Sequence, residues 1–127
     1  MSFWLFMTVV SLLIPVSMVS LGWMLQNKPP KKINSFVGYR TQRSMKNLDT
    51  WFFAHEQAGR YWYRTGWVVL VLSLLAMLPV MKKDTETVGA WGAVVCLIQC
   101  VPLTWVLFVV ERALKRTFDE NGTRIKP

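Results

Sequence analysis

Three long apolar stretches constrain this chain more than any other feature of its sequence. Residues 3–25 and 88–110 contain no charged side chain, and residues 66–81 are apolar as well. A helix needs roughly 20 residues at ~1.5 Å each to cross a bilayer, so the first and last stretches are long enough. The middle stretch reaches this length as residues 61–81, because Arg64 can extend its charged end toward water. The sequence predicts an all-α membrane protein with three transmembrane helices.

The rest of the chain is too short for a separate soluble domain. The sequence has 127 residues, of which 53% are hydrophobic, and this length is typical of one domain. We expect a single membrane domain over residues 1–127, with a loop and an interfacial helix at 26–60 and a tail at 111–127. The first apolar stretch lacks a preceding Lys or Arg and a following small-residue cleavage pattern, so we expect a retained helix rather than a signal peptide.

Charge is distributed unevenly between the predicted spans. Residues 26–64 carry eight basic and two acidic side chains, and residues 111–127 carry five basic and three acidic ones. The turn at 82–87 carries two of each sign. The positive-inside rule then predicts an N-terminus outside and a C-terminal tail in the cytoplasm. This arrangement accounts for the net charge of +8, so we expect anionic phospholipid headgroups of the bilayer, and no nucleic acid, as its partner.

Residues 34–59 form the chemically most distinctive segment. Asn47 is a favourable N-cap, and Asp49 would lie in the first turn of the helix that follows. We expect this helix to lie along the membrane surface and to bend near Gly59 into the second span. A continuous helix over residues 47–81 is the alternative, and the sequence does not decide between them. Apolar residues recur along the segment at helical spacing: Trp51, Ala54 or His55, Ala58 and Trp62.

The order of residues in this segment resembles the signature of the SdpI family of bacterial membrane proteins. In that family an Asn precedes Gly-[Ile/Tyr]-Arg-Thr, a Ser or Thr, an acidic or Asn helix start, a Trp and a Gly. The matching positions here are Asn34, Gly38, Tyr39, Arg40, Thr41, Ser44, Asn47, Trp51 and Gly59. The resemblance implies a non-enzymatic, multi-pass protein of the bacterial plasma membrane. It also implies immunity or resistance to a membrane-active peptide toxin, which would then be a partner.

The side chains of this segment suggest an anion-binding site. Arg40 and Arg43 can donate paired N–H groups to phosphate or carboxylate oxygens, and Thr41 and Ser44 add hydroxyl donors. The helix start at Asn47 adds oriented backbone N–H groups. The expected ligand is a lipid phosphate, an acidic peptide terminus or an acidic partner segment. The candidate residues are Asn34, Gly38, Tyr39, Arg40, Thr41, Arg43, Ser44, Asn47 and Trp51.

A purely structural role is the alternative for these residues. The basic side chains would then set only the membrane topology, and Arg40 would tie the loop to Asp49, Glu56 or helix carbonyls. The two acidic residues would form salt bridges with Lys46 and Arg60, whose spacing on a helix suits such pairs.

No group of residues suggests catalysis or metal binding. His55 is the only histidine, without a ligand cluster or a nucleophile at a readable spacing. Cys96 and Cys100 lie one turn apart in the third span and are expected to be packing residues. Because no charged residue lies in the core of a span, an ion-coupled carrier is disfavoured. We therefore predict no enzyme activity, no metal and no cofactor.

Small residues on two spans predict where helices meet. Small or polar residues share one face of the first span: Thr8, Ser11, Pro15 and Gly22. Gly92, Cys96 and Cys100 form a stripe on the third. We expect these faces to meet, within one molecule or between copies of a homo-oligomer, and Gln99 to form an interhelical hydrogen bond. These faces could also dock a membrane protein partner, which gives a second functional hypothesis: a small lipid- or partner-binding subunit that modulates a larger transporter or envelope complex.

Overall fold

A computed structural model describes residues 2–34 and 38–125 of the chain as a bundle of three long helices. Helix α1 is Ser2–Asn27, helix α2 is Leu48–Met77 and helix α3 is Thr85–Thr117. A short 3-10 turn, Leu78–Val80, follows α2. All three helices are long and apolar enough to cross a membrane, and the described residues contain no β-strand. The predicted all-α class with three transmembrane helices is confirmed.

Large apolar side chains cover the outer surface of the bundle. Leu13 on α1, Val71 on α2 and Leu97 on α3 are all more than half exposed. A soluble protein rarely exposes so much contiguous apolar surface, whereas contact with lipid tails satisfies it. The helices form most of their backbone hydrogen bonds internally, as the hydrocarbon core requires. Pro15 in α1 and Pro102 in α3 lack the N–H for such a bond.

Helices α1 and α2 approach each other closely because glycines face each other. A Cβ atom on Gly22 would lie 2.8 Å from the Gly59 carbonyl oxygen and 2.5 Å from the Tyr63 nitrogen. Only residues without a side chain permit backbones to approach this closely.

The small-residue faces of α1 and α3 meet only in part. The predicted face of α1 is buried along its whole length. Gly92 of α3 packs against Met7, but Cys96 is half-buried and Cys100 is exposed. The expected contact between the two faces is therefore incomplete, because α2 rather than α3 packs against Gly22.

Helix α2 runs without interruption through the segment that was expected to bend. Its first turns, from Leu48, continue past Gly59 into the apolar half of the helix. Gly59 serves the close approach to α1 rather than a bend. The structure therefore matches the continuous-helix alternative, and a separate interfacial helix is not confirmed.

The predicted N-cap of α2 is confirmed. The Asn47 side chain accepts a hydrogen bond from the Thr50 backbone N–H at 2.9 Å. In return, the Thr50 hydroxyl accepts from the Asn47 N–H at 3.1 Å. This reciprocal capping box fixes the residue at which the loop ends and the helix begins.

A polar contact in the middle of the bundle joins all three helices. The Gln99 amide of α3 donates to the Ser11 carbonyl oxygen of α1 at 2.7 Å and to the Ser73 hydroxyl of α2 at 2.6 Å. The interhelical hydrogen bond predicted for Gln99 is present, and it fixes how the helices are aligned along the bundle axis.

Aromatic side chains bond the helices to one another at two levels. At one level, the Trp4 and Trp91 indoles donate to carbonyl oxygens near the end of α2. At the other, midway along α2 and α3, Tyr61 and Trp62 donate to carbonyl oxygens of Pro102 and Leu103. The end of the bundle where α1 and α3 end and α2 begins carries the linker after α1 and the tail after α3. We call it the loop end.

Candidate functional site

One carboxylate connects the loop before α2 to helix α3. The Tyr39 hydroxyl and the Thr41 hydroxyl both donate to the same oxygen, Oε2 of Glu111, and each bond measures 2.9 Å. Burial, followed by the hydrogen bond to Glu111, raises the pKa of Tyr39 well above its usual range, so the phenol stays protonated and remains a donor. Residues 38–47, hereafter loop 38–47, are thereby held against α3.

A compact turn from Thr41 to Ser44 positions the Thr41 hydroxyl of this contact. The Thr41 backbone N–H donates to the Ser44 hydroxyl at 2.8 Å, and the Ser44 N–H donates to the Thr41 hydroxyl at 3.2 Å. Ser44 is completely buried, and its carbonyl oxygen accepts from the Thr50 hydroxyl at 3.0 Å. The turn is thus connected to the capping box of α2, and the start of that helix fixes where Thr41 points.

The only histidine holds the other side of the loop. The Tyr39 backbone N–H donates to His55 Nε2 at 3.0 Å, and His55 Nδ1 lies 2.7 Å from the Trp51 carbonyl oxygen. This geometry requires a neutral imidazole with its hydrogen on Nδ1, because only an unprotonated Nε2 can accept. His55 is fully buried and has a packing and hydrogen-bonding role.

Glycine is required at position 38 for this contact. Gly38 has a φ of +102°, a conformation that side chains rarely allow. A Cβ atom there would also overlap His55 Nε2. The glycine of the signature therefore lets the backbone reach the imidazole.

The Trp of the signature anchors the linker that follows α1. Trp51 is completely buried and packs against His55 at a centroid distance of 4.3 Å, with the ring planes tilted by 48°. Its indole N–H donates to the Pro30 carbonyl oxygen at 2.8 Å. One side chain thus positions both the linker and the imidazole.

The tail after α3 folds back onto the start of α2. Arg124 forms a bidentate pair with Asp49, both bonds measuring 2.9 Å, and its guanidinium lies over the Phe118 ring at 5.0 Å. The Asn47 side chain donates to the Gly122 carbonyl oxygen at 2.8 Å. Asp49 therefore pairs with the tail rather than with Lys46.

The remaining predicted salt bridge is present. Glu56 pairs with Arg60 one turn later, at 2.8 Å. Both side chains are largely exposed, so this pair contributes little to stability.

The two signature-region arginines lie against different surfaces. Arg40 is exposed and lies beside an apolar cavity, whereas Arg43 lies with Lys46 and Phe118 near the tail. Arg40 and Arg43 line different pockets, and the joint anion site stays a prediction. Asn34 forms a local contact in the linker, since its amide donates to the Lys32 carbonyl oxygen at 3.0 Å. Residues 35–37 of the predicted segment lie outside the described part of the chain.

An apolar cavity of about 320 Å³ lies directly beneath Arg40. All three helices contribute to it, together with the beginning of loop 38–47. Its wall includes Leu21 of α1, Trp62 of α2 and Leu107 of α3. The cavity is large enough for a small ligand, and its polar edge is formed by Tyr39 and Arg40.

Glu111 is the residue of this site that the sequence analysis did not identify. It is the first charged residue after the third apolar stretch, which placed it at the membrane surface without a partner. Its distance of 70 residues or more from Thr41 and Tyr39 left no local pattern to detect. Arg124 and Gly122 were missed for the same reason.

Comparison with known proteins identifies the family of the chain. Residues 31–110 match the SdpI/YfhL protein family. The chain belongs to this family. The matched region begins in the linker after α1 and contains loop 38–47, α2 and most of α3, so all the signature residues described above lie within it.

The SdpI-type chain is also similar to a curated protein from Bacillus subtilis (strain 168), the uncharacterized protein YfhL. The two are 36% identical over 58 residues, which is 46% of this chain and 53% of YfhL. The match thus spans about half the length of that relative. No solved structure matches the chain.

Proposed function

We propose that this SdpI-family chain is a non-enzymatic membrane protein that confers resistance to a membrane-active peptide toxin. The support is its family membership together with the arrangement of the family signature. The observation that carries the proposal is the shared bond from Tyr39 and Thr41 to Glu111. This bond joins loop 38–47, which carries most of the signature, to α3.

In this proposal, loop 38–47 is a latch that responds to an anionic group. Tyr39 and Thr41 already bind one carboxylate, that of Glu111. The terminal carboxylate of an incoming peptide presents the same chemistry and can compete for these donors. Release of Glu111 would free loop 38–47 from α3, which converts peptide binding into a change at the loop end.

The charge distribution supports an inner location for this latch. The loop end carries the basic linker and tail, whereas the opposite turn at 82–87 is balanced in charge. We propose that the chain lies in a bacterial plasma membrane with its loop end in the cytoplasm.

Survival during exposure to toxin tests this function. A sensitive bacterial strain expressing the chain is challenged with a panel of purified hydrophobic, amphipathic and cationic membrane-active peptides, while a dye reports membrane potential. Wild-type protein should protect against at least one peptide, and Tyr39→Phe combined with Thr41→Val should remove that protection. Thr104→Val is the control, because Thr104 is exposed and bonds only within α3. Equal protein amounts are verified by immunoblot, and absence of protection against the whole panel would contradict the proposal.

The alternative function is a lipid- or partner-binding subunit of a larger membrane complex. The cavity at the loop end favours it, because such a space suits a hydrophobic ligand whether or not a toxin is present. Purification in mild detergent distinguishes the two functions. Stable co-purification of a transporter or envelope enzyme, without any peptide protection, would favour the subunit.

A further inference from the structure

We propose that the cavity at the loop end binds one acyl chain of an anionic phospholipid, whose phosphate group lies against Arg40. This site deepens the lipid-binding alternative, but it requires neither peptide resistance nor a larger complex. Its support comes from the shape, depth and charge of the cavity.

The mouth of the cavity opens toward lipid. Leu21 and Leu107 line it and are 41% and 48% exposed, on surfaces that face lipid when the bundle spans a bilayer. Its interior includes the buried side chains of Leu25, Ala58 and Val106. An occupant can therefore enter sideways from the bilayer, without crossing water, and meets an apolar wall.

The volume of the cavity suits part of a hydrocarbon chain. At about 320 Å³ it is roughly twice the ~150 Å³ of an engineered apolar cavity that binds benzene. Voids of this size are uncommon in well-packed proteins, and neighbouring lipid tails are always available to fill one that opens into a membrane.

The depth and charge of the cavity select the kind of lipid. Val106 and Leu107 line it within four residues of the end of the uncharged stretch 88–110, and Tyr39, which also lines it, bonds to Glu111 directly after that stretch. The polar edge of the cavity therefore lies where the third apolar stretch ends, the depth at which interfacial aromatic residues are common. Arg40 and Tyr39 form its polar edge, and Arg40 is exposed. A guanidinium at headgroup depth favours a phosphate that carries a net negative charge. An anionic diacyl phospholipid supplies both the chain and this charge.

Native mass spectrometry of the detergent-purified full chain tests the site. The protein is mixed with phosphatidylglycerol or with phosphatidylcholine of the same acyl chains, and the bound lipid is counted. We expect phosphatidylglycerol to be retained about tenfold more than phosphatidylcholine, because the choline cation offsets the phosphate charge that both lipids present to Arg40. Glycerol phosphate, which has the headgroup without the chains, should not displace it at equal concentration.

Two pairs of variants test the charge of Arg40 and the apolar cavity separately. Arg40→Gln should reduce phosphatidylglycerol retention to the level of phosphatidylcholine, whereas Lys28→Gln, which removes another exposed cation of the same end, should not. Leu21→Trp should block the mouth and reduce retention of both lipids, whereas Leu13→Trp, on the exposed surface of the same helix, should leave them unchanged. Leu107→Trp with Leu97→Trp as control repeats the cavity test on α3, if circular dichroism shows that Leu21→Trp is misfolded.

Three outcomes would overturn the proposal. The first is equal retention of both lipids, and the second is retention that no cavity variant alters. In the third, phosphatidylglycerol is not retained, but a hydrophobic membrane-active peptide binds and the mouth variants abolish its binding. That result would assign the cavity to a peptide. None of these readouts depends on cell survival, so the lipid site and the resistance function can fail separately.

Discussion

At the scale of single residues, the loop end depends on a few polar side chains that bond to one another. Glu111 accepts from Tyr39 and Thr41 through a single oxygen atom. His55 accepts from the Tyr39 backbone N–H. The Ser44 hydroxyl closes the next turn by accepting from the Thr41 N–H. Most donors of the signature are therefore satisfied internally, and a ligand that uses them must replace a bond that already exists.

Removal of the Glu111 carboxylate should destabilise the loop end. Glu111→Ala leaves two hydroxyl groups without their acceptor, and we expect the free energy of unfolding to fall by about 2 kcal/mol. Glu111→Gln should cost less, because an amide oxygen can still accept both bonds. The measurement is unfolding in detergent micelles with increasing SDS, followed by circular dichroism. Glu120→Ala, at an exposed acid of the tail, should have no effect, and equal losses for Glu111 and Glu120 would contradict this account.

A side chain at position 38 should displace the loop. Gly38→Ala combines the positive φ with an overlap at His55 Nε2, and we expect a loss of about 1–3 kcal/mol in unfolding free energy. Gly89→Ala is the matched control, since a Cβ atom there meets only the Phe3 ring at 3.6 Å. Hydrogen exchange of the Tyr39 amide should become faster in Gly38→Ala and remain unchanged in the control. Slow exchange in Gly38→Ala would show that the loop tolerates a side chain there.

Acidification should loosen the same contact. The bond from the Tyr39 N–H needs an unprotonated His55 Nε2, so it is available when the imidazole is neutral and is lost when the ring binds a second proton. Burial lowers the pKa of His55 below the ~6.5 of an ordinary histidine, so we expect exchange at Tyr39 to accelerate only as the pH falls below that value, after correction for intrinsic exchange. In His55→Gln this dependence should vanish, and a persistent dependence would assign it to another group.

At the scale of the helices, the contact between α1 and α2 is set by backbone atoms and not by large side chains. Gly22 and Gly59 lie against each other's carbonyl oxygens. Because rigid backbone atoms cannot move aside as a flexible side chain does, this contact tolerates little added volume.

Enlarging either glycine should separate α1 from α2. Gly59→Val would place a Cβ atom 2.7 Å from the Gly22 carbonyl oxygen, and we expect a loss of about 1–3 kcal/mol in stability. The thermal denaturation midpoint in detergent should fall, while Ser20→Val, on the exposed face of α1, should leave it nearly unchanged. A crosslink between cysteines introduced on the two helices would report the separation directly, and an unaltered crosslink would contradict it.

At the scale of the whole molecule, the sequence specifies the spans much better than their contacts. The uninterrupted apolar stretches predicted three helices, and Asn47 predicted the start of α2, because each signal comes from residues that are neighbours in the sequence. The sequence did not decide between an interfacial helix that ends near Gly59 and a continuous α2, because Gly59 permits either. The pairing of Glu111 with the loop was also hidden, because it joins residues that only tertiary packing brings together.

Orientation in the membrane is a prediction at this same scale. After Cys96→Ser and Cys100→Ser, a cysteine is placed at Lys83, in the turn between α2 and α3, or at Lys46, in loop 38–47; both positions are exposed. A membrane-impermeant maleimide should label position 83 in intact cells and position 46 only after permeabilisation, as the positive-inside rule requires. The reverse pattern would place the loop end outside and would contradict the proposed cytoplasmic latch.

The single oxygen shared by Tyr39 and Thr41 also limits how this family can diverge. Losing the acid at position 111 would orphan two hydroxyl groups at once, whereas losing one hydroxyl leaves the acid with a partner. Over evolutionary time, we expect the acid to be replaced only after both hydroxyls have gone. Relatives with Ile at position 39, as the signature allows, should therefore keep the acid together with the threonine, and few should keep the hydroxyls without the acid.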